Sequence, residues 1–318
     1  MSGREADSVQ CNLQNMLPLI SVIVTCYNQE KFIQNAVESV LSQSWSALEC
    51  IIVDDGSTDG SREVIQTLKN ADSRVRVVLQ DNQGVSAARN AGFEVASGDM
   101  IQFLDGDDLL KTEKLSVHVQ KISDDPLCSV SFVDHDFLDM RTGHLSYFGT
   151  TRIDPEPLQQ MLTQWFDGVS LPIHAGLFRR SIWAENEKPF PVDYEGRCED
   201  WIFLVIVALR GAKFCGIPQV LCTYRVGVSG FTDSPLNWHV ASLHAALYIN
   251  GKLDPVWQQI FLDSVFTRTL ERYVKLKRSE ILHSSWNWRL GNFLTSPIFF
   301  GIKLLRRLIK KFKRQGSR

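Results

Sequence analysis

A doubly wound α/β fold, built on a mostly parallel sheet with a helical extension at its C-terminal end, is the fold class the sequence predicts. Strand-like and helix-like segments alternate four times between residues 19 and 104, the rhythm of a parallel sheet with crossover helices. The strand segments are largely continuous apolar runs, as expected of strands buried on both faces. Polar and acidic residues gather directly after those runs, where parallel sheets bind their ligands.

Leu19 to Thr25 (Leu-Ile-Ser-Val-Ile-Val-Thr) is the first such strand, followed by a turn at Tyr27 and Asn28. Phe32, Ile33, Ala36, Val37, Val40 and Leu41 then recur at helical spacing. Leu48 to Val53 is the second strand and runs into Asp54-Asp55-Gly56-Ser57-Thr58-Asp59, a cluster able to cap the helix that carries Val64, Ile65 and Leu68. Val75 to Leu79 is the third. Asn82-Gln83-Gly84 opens a helix marked by Val85, Ala88, Ala91 and Val95, and Met100 to Leu104 is the fourth strand.

That fourth strand ends in Asp105-Gly106-Asp107-Asp108, three carboxylates within four residues. A turn would use the same residue types. Carboxylates crowded at a strand end are also the donors a hard divalent cation needs, since Mg²⁺ is commonly held by one or two carboxylates together with substrate phosphates. No G-x-G-x-x-G follows the first strand and no Walker pattern occurs, which argues against a Rossmann dinucleotide site and a P-loop.

With 44% hydrophobic and 22% charged residues in 318, the chain has the composition of a globular protein able to bury a large core. Its seven cysteines show no CxxC spacing, so neither a disulfide framework nor a zinc site is expected, and a reducing cytosol fits best. The first 17 residues lack an apolar leader core, and no window is apolar enough for a membrane span.

Four motifs in order carry a resemblance to the family 2 glycosyltransferases of the GT-A fold. They are Ser21-Val-Ile-Val-Thr-Cys-Tyr27-Asn28, Ile52-Val53-Asp54-Asp55-Gly56-Ser57-Thr58-Asp59, Gly84-Val-Ser-Ala-Ala-Arg89-Asn90-Ala-Gly92 and Phe103-Leu-Asp-Gly-Asp-Asp108. The resemblance covers about residues 18–225 and implies an inverting enzyme that moves a sugar from a nucleotide-sugar, a UDP-sugar by expectation, to an acceptor hydroxyl. It implies that Thr25, Tyr27 and Asn28 lie at the nucleotide and that Asp55 meets the base edge. Arg89, Asp105 and Arg225 are implied donor-binding residues. Asp107, with Asp105 and Asp108, is the implied Mn²⁺ or Mg²⁺ site, although Asp108 could instead cap a helix beginning near Leu109. Many members have Pro where this chain has Thr25; Thr adds a hydroxyl near the base.

Cys198-Glu199-Asp200-Trp201 precedes the apolar run Ile202 to Leu209. Capping a helix N-terminus would explain the acids; the resemblance implies Asp200 as catalytic base, with Glu199 orienting it or the acceptor. His174 and the segment to Arg180 resemble the acceptor-side segment, where His174 would contact acceptor or donor phosphate. Leu127 to Phe132 and Val220 to Arg225 read as further strands, with His135 and Asp136 close behind the first. The Q-x-x-R-W signature of processive members is missing, which implies single-sugar transfer. A metal-dependent nucleotidyltransferase would want a basic phosphate-gripping loop near the first strand, and Cys26 to Glu30 lacks one. A non-catalytic nucleotide-binding module would have no need of Asp200.

The expected organisation is a polar segment at 1–17 and a catalytic domain at 18–230, divided into a nucleotide half (18–110) and an acceptor half (111–230). A helical extension (231–285) and a basic tail (286–318) complete it. From Pro297 to Arg318 eight basic and no acidic residues occur, leaving the rest of the chain near −10 against a total of −2. Ile298, Ile302, Leu305, Ile309 and Phe312 share one stripe, with Trp286 and Trp288 upstream, the composition of an interfacial helix. Basic charge confined to a tail speaks against nucleic acid and for an anionic membrane surface, at about 1 kcal/mol per residue. The expected location is cytoplasmic, peripheral to the inner face of the cell membrane, with a glycan or lipid-linked acceptor. Deleting residues 297–318 should abolish co-flotation with anionic liposomes; equal flotation with and without the tail refutes the anchor.

Overall fold

The computed structural model describes residues 17–148, 153–165, 171–194, 196–227 and 235–284. The polar first segment and the basic tail with Trp286 and Trp288 lie outside the described residues. Strands β1 (Ile20–Cys26) and β2 (Leu48–Asp55) are buried along their whole length, in keeping with their largely apolar sequences. Strand β3 (Val75–Gln80) is an edge strand with only Val75 fully buried. Helices α1 (Ile33–Leu41), α2 (Ser61–Ala71) and α3 (Val85–Val95) connect these strands to β4 (Met100–Asp105).

In this half the pairs β3–β2, β2–β1 and β1–β4 are all parallel. The chain moves outward from β1 to β2 and β3, then crosses back to β4 on the other side of β1. That reversal opens a crevice at the carboxyl ends of β1 and β4, the place where such sheets bind ligands. Thr25 and Asp105 face each other there as register partners.

Beyond β4 the sheet becomes mixed. Strand β8 (Gly176–Arg179) runs antiparallel to β4 and to β6 (Cys128–Asp139), while β9 (Lys213–Val226) runs parallel to β6. Strand β7 (Leu145–Phe148) folds back on β6. Strand β9 starts well before the expected Val220, and Pro218 and Gln219 fall in a register shift where Ile217 and Val220 partner successive residues of β6. A proline cannot donate to the ladder, so the shift accommodates it.

The two-residue β5 (Leu109–Leu110) fixes the shape of the sheet. It follows β4 after three residues, yet by pairing with β9 it lies four places from β4 in the strand order. A flat sheet would put those positions ~19 Å apart at ~4.8 Å per strand. The chain from Asp105 to Leu109 reaches at most ~14 Å at ~3.5 Å per residue. The sheet must therefore curl until β9 closes over the end of β4. The expected helix near Leu109 is corrected by the same pairing: residues 109–110 are strand, and α4 (Lys114–Asp124) begins later.

The expectation of free thiols throughout also needs one correction. Cys128 and Cys215 form a disulfide with Cα atoms 6.0 Å apart across 87 residues of sequence. Only the parallel pairing of β6 with β9 brings them together.

Helix α5 (Leu158–Gln164) and the apolar α6 (Glu199–Leu209) pack together, and α7 (Pro235–Lys252) lies against α6. Asp254 caps α8 (Pro255–Phe261) by accepting from the Val256 and Trp257 amides, with Pro255 at the first turn. A π-helical turn over Leu262–Phe266 leads into α9 (Thr267–Ser284). Trp201 stacks on Trp165 at 5.7 Å and meets Phe261 at 6.0 Å, so the extension braces the start of α6. Among the described residues no helix is long and apolar enough to cross a membrane.

Helix α3 lies unusually close to the sheet at Gly92, where an added Cβ would sit 2.4 Å from Ile23 Cγ2 and 3.0 Å from Val53 Cγ2. Both neighbours belong to buried strands with no room to yield. Gly92→Ala should cost about 1–3 kcal/mol through overpacking, read from the urea unfolding midpoint. An unchanged midpoint would contradict this close approach.

Candidate functional site

The carboxylate turn after β4 is fastened on two sides. On one, the Gly106 amide donates to the Thr25 carbonyl at 2.9 Å, and an added Cβ at Gly106 would meet that oxygen at 2.9 Å. Only glycine lets the turn approach β1 so closely, which accounts for the Asp-Gly-Asp sequence. On the other, Asp108 Oδ1 accepts the Arg225 amide at 2.8 Å, and Arg225 Nε donates to the Asp107 carbonyl. The Arg225 guanidinium also lies 5.1 Å from the centre of the Phe32 ring. It is 7% exposed and serves the turn itself.

Asp105 is held from within. Thr25 Oγ1 donates to Asp105 Oδ1 at 3.1 Å and Arg89 Nη2 to the same oxygen at 2.8 Å. The other terminal nitrogen of Arg89 donates to Glu199 Oε1 at 3.0 Å, and its guanidinium lies over Phe190. Arg89 is 2% exposed, so one buried cation ties the acidic turn of β4 to the first residue of α6. Burial alone would lower the Arg89 pKa, but Asp105 and Glu199 outweigh it and raise it. Arg89 in turn overcomes the burial of Asp105 and holds that carboxyl below its usual range.

Two carboxyls escape such pairing. Burial, then the charges of Asp108 and Asp105, push Asp107 up to about 7. Burial, then the charge of Glu199, push Asp200 up to about 7, with Arg89 pulling the other way. Asp200 sits at the start of α6 behind Cys198, a non-glycine residue at φ 64°. A carboxyl poised near neutrality beside a cleft is a candidate acid or base.

Tyr27 projects at the mouth, 48% exposed. Asn28, at φ 54°, fastens this loop to the next one: its amide donates to Ser57 Oγ at 3.0 Å and its Oδ1 accepts the Thr58 amide at 2.7 Å. Asp55 is 4% exposed and accepts from Gln80 Nε2 and from the amides of Gln83 and Gly84. Its carboxylate thus organises the loop that opens α3. Neither partner set was visible from spacing.

Two of the expected site residues lie buried. Asp108, expected as a metal ligand, is 1% exposed; its Oδ1 accepts the Arg225 amide at 2.8 Å and its Oδ2 lies 3.0 Å from His174 Nδ1. His174, expected to contact acceptor or donor phosphate, has a side chain 1% exposed. Burial would strip His174 of its proton, but Asp108 and Cys222 carry it up to about 10. Sequence reasoning also missed Phe32 and Phe190, aromatic floors under Arg225 and Arg89. No sequence signal separates them from ordinary core residues.

Among the described residues no three His, Cys, Asp or Glu side chains gather around a point fit for a metal ion. Asp107 and Asp105 suit a partial donor set completed by phosphate oxygens and water, as Mn²⁺ or Mg²⁺ accept and structural zinc does not. Burial first, then the charges of Asp108 and Asp105, raise the Asp107 carboxyl, and a bound cation would offset both, so the residues fit such a cation.

The model of glycosyl transferase family 2 matches residues 21–184. An uncharacterized glycosyltransferase from Nostoc sp. is 38% identical over 180 residues, covering 55% of this chain and 54% of that protein. The GalNAc(5)-diNAcBac-PP-undecaprenol beta-1,3-glucosyltransferase of Campylobacter jejuni is 36% identical over 110 residues, 34% of this chain and 36% of that one. The chain spans about half the length of the first of these and about a third of the second. In fold it resembles S. aureus TarS 1–349 in complex with UDP-GlcNAc, at TM-score 0.61 and 19% identity over 79% of this chain and 72% of that one. The Pyrobaculum calidifontis mannosyltransferase PcManGT, in complex with GDP-Man and Mn²⁺, gives TM-score 0.59 at 15% identity, covering 94% and 83%.

Breaking the buried clamp should be costly. Arg89→Met leaves Asp105 and Glu199 without their cation; because their side chains are 27% and 16% exposed, the expected loss is about 2–3 kcal/mol, at or below the ~3–5 kcal/mol of a fully buried pair. Chemical denaturation measures it, and a loss under about 1 kcal/mol, the level of a surface pair, would show that the clamp does not organise the site.

Proposed function

The chain belongs to glycosyl transferase family 2, and from that premise we propose that it moves a single sugar from a UDP-sugar to an acceptor hydroxyl, with inversion at the anomeric carbon. The observation that carries the reading is Arg89, which joins the acidic turn of β4 to the Glu199–Asp200 end of α6. A leaving-group site and a base are thereby fixed to one rigid element.

In this reading Asp200 takes the proton from the acceptor hydroxyl as the oxygen attacks the anomeric carbon. The new C–O bond forms on the face opposite the departing diphosphate, which leaves with the bonding electron pair. One displacement suffices, without a sugar–enzyme bond, and inversion follows from it. Glu199, held by Arg89, keeps the start of α6 in register with the turn. Asp107, with Asp105 beside it, would hold Mn²⁺ or Mg²⁺, which when bound neutralises charge on the leaving diphosphate. Tyr27 offers an exposed ring for the base, and Asp55 and Asn28 shape the loops around it.

The UDP-GlcNAc complex of TarS supports a UDP-sugar donor, and the Mn²⁺ complex of PcManGT supports the metal. The acceptor we propose is a lipid-linked or surface-polysaccharide glycan. Support comes from the polyprenol-linked substrate in the Campylobacter enzyme's name and from the basic, amphipathic tail. The protein would then work at the cytoplasmic face of a membrane, held there peripherally.

Incubation with a panel of nucleotide-sugars and Mn²⁺ should release free nucleoside diphosphate; release of pyrophosphate instead would mark nucleotidyl transfer. Asp200→Asn should lower kcat by about 10²–10⁴-fold, the range for removing a general base, while donor binding by calorimetry stays unchanged. Because the base must be deprotonated, kcat should rise about tenfold per pH unit below about 7 and level off above it. Near wild-type turnover by Asp200→Asn would sink the assignment.

A further inference from the structure

We propose that His174 is a positioning residue for Asp107, acting through its buried 3.0 Å contact with Asp108 to set the backbone on which the metal-facing carboxylate is mounted. The inference rests on the reading of Asp107 as the metal grip and assigns no contact between His174 and substrate.

The connection can be followed atom by atom. His174 lies in the single 3₁₀ turn Ile173–Ala175 that leads into β8. Its Nδ1 is 3.0 Å from Asp108 Oδ2, with both side chains 1% exposed. The other oxygen of Asp108 accepts the Arg225 amide at 2.8 Å, and Arg225 Nε returns a hydrogen bond to the carbonyl of Asp107. Both sides of the peptide following Asp107 are therefore fixed, its carbonyl by Arg225 and its far residue by His174. The Asp108 amide closes the turn onto the Asp105 carbonyl at 2.9 Å.

His174 is itself held in place. Its ring stacks on Tyr224, with centroids 5.5 Å apart and planes 12° from parallel. Its carbonyl accepts from Gln102 Nε2 at 3.0 Å, and Gln102 accepts in turn from the fully buried Lys114. A buried ion pair usually adds little net stability over an apolar replacement. Its place directly beneath a carboxylate turn suits it to orientation: a polar pair with one good geometry fixes the turn more sharply than apolar packing could.

The test is Mn²⁺ binding to the full chain, read from the loss of the free-ion EPR signal well below the melting temperature. It compares wild type, His174→Gln, Asp108→Asn, the double variant and Asp107→Asn. His174→Gln and Asp108→Asn should each weaken Mn²⁺ by about 10–100-fold, the usual effect of removing a group that orients a ligand. The double variant should be no weaker than either single one, because the pair acts as a unit; being uncharged, it also covers the case in which a single variant fails to fold. Wild-type Mn²⁺ affinity in folded His174→Gln or in the double variant, with Asp107→Asn losing binding, overturns the positioning role and leaves the metal reading standing. Wild-type affinity in Asp107→Asn overturns the metal reading itself, and the present proposal with it.

Discussion

Burying one guanidinium between two carboxylates from opposite halves of the molecule is the constraint on which the site depends. Arg89 is inside the protein, where an uncompensated charge is costly, and it is compensated only if β4 and α6 arrive together. The sheet delivers Asp105 at the end of a strand flanked by β1 and β8. The helical layer delivers Glu199 at the start of α6, braced by Trp165, Trp201 and Phe261. The same ion therefore reports on correct assembly and sets the local field.

That field divides the acids into two groups. Asp105 is stabilised as an anion by Arg89, while Asp107 and Asp200 lie outside its reach or only partly within it and are pushed toward neutrality by burial and like charge. The folded protein keeps protons on these two that the unfolded chain releases near pH 4. Their pKa values being raised, each contributes stability at low pH that is lost as pH rises toward about 7. Such strain is what a bound cation at Asp107 would relieve, and a carboxyl raised to about 7, as Asp200 is, suits proton transfer near neutral pH.

The curl of the sheet supplies the second half of the grip. Because β5 follows β4 so closely and pairs with β9, the acidic turn is trapped between the first strand and the last. Gly106 lets it lie against β1, and Arg225 and Asp108 bind it to β9. A three-residue connection thus converts strand order into placement of a carboxylate. The Cys128–Cys215 disulfide joins β6 to β9 and ties together the strands that close over the turn.

By itself the sequence determined the parallel half of the fold, because β1, β2 and β4 are local, largely apolar runs buried on both faces and each helix has its own 3.6-residue period. It also singled out Asp105, Asp107 and Asp200 as candidates, since they stand in short motifs whose residue types are legible without knowing their neighbours in space. Only the tertiary structure decided how those acids differ. Arg89 and Glu199 are 110 residues apart, and Asp108 and Arg225 are 117 apart; no periodicity links such positions. His174 and Asp108 read as site residues in the sequence and lie buried in the fold, because exposure is set by which strands close over a turn. The physical reason is the same in each case: pattern along a chain encodes which face is buried, whereas charge pairing is settled by distances that exist only after the sheet has curled.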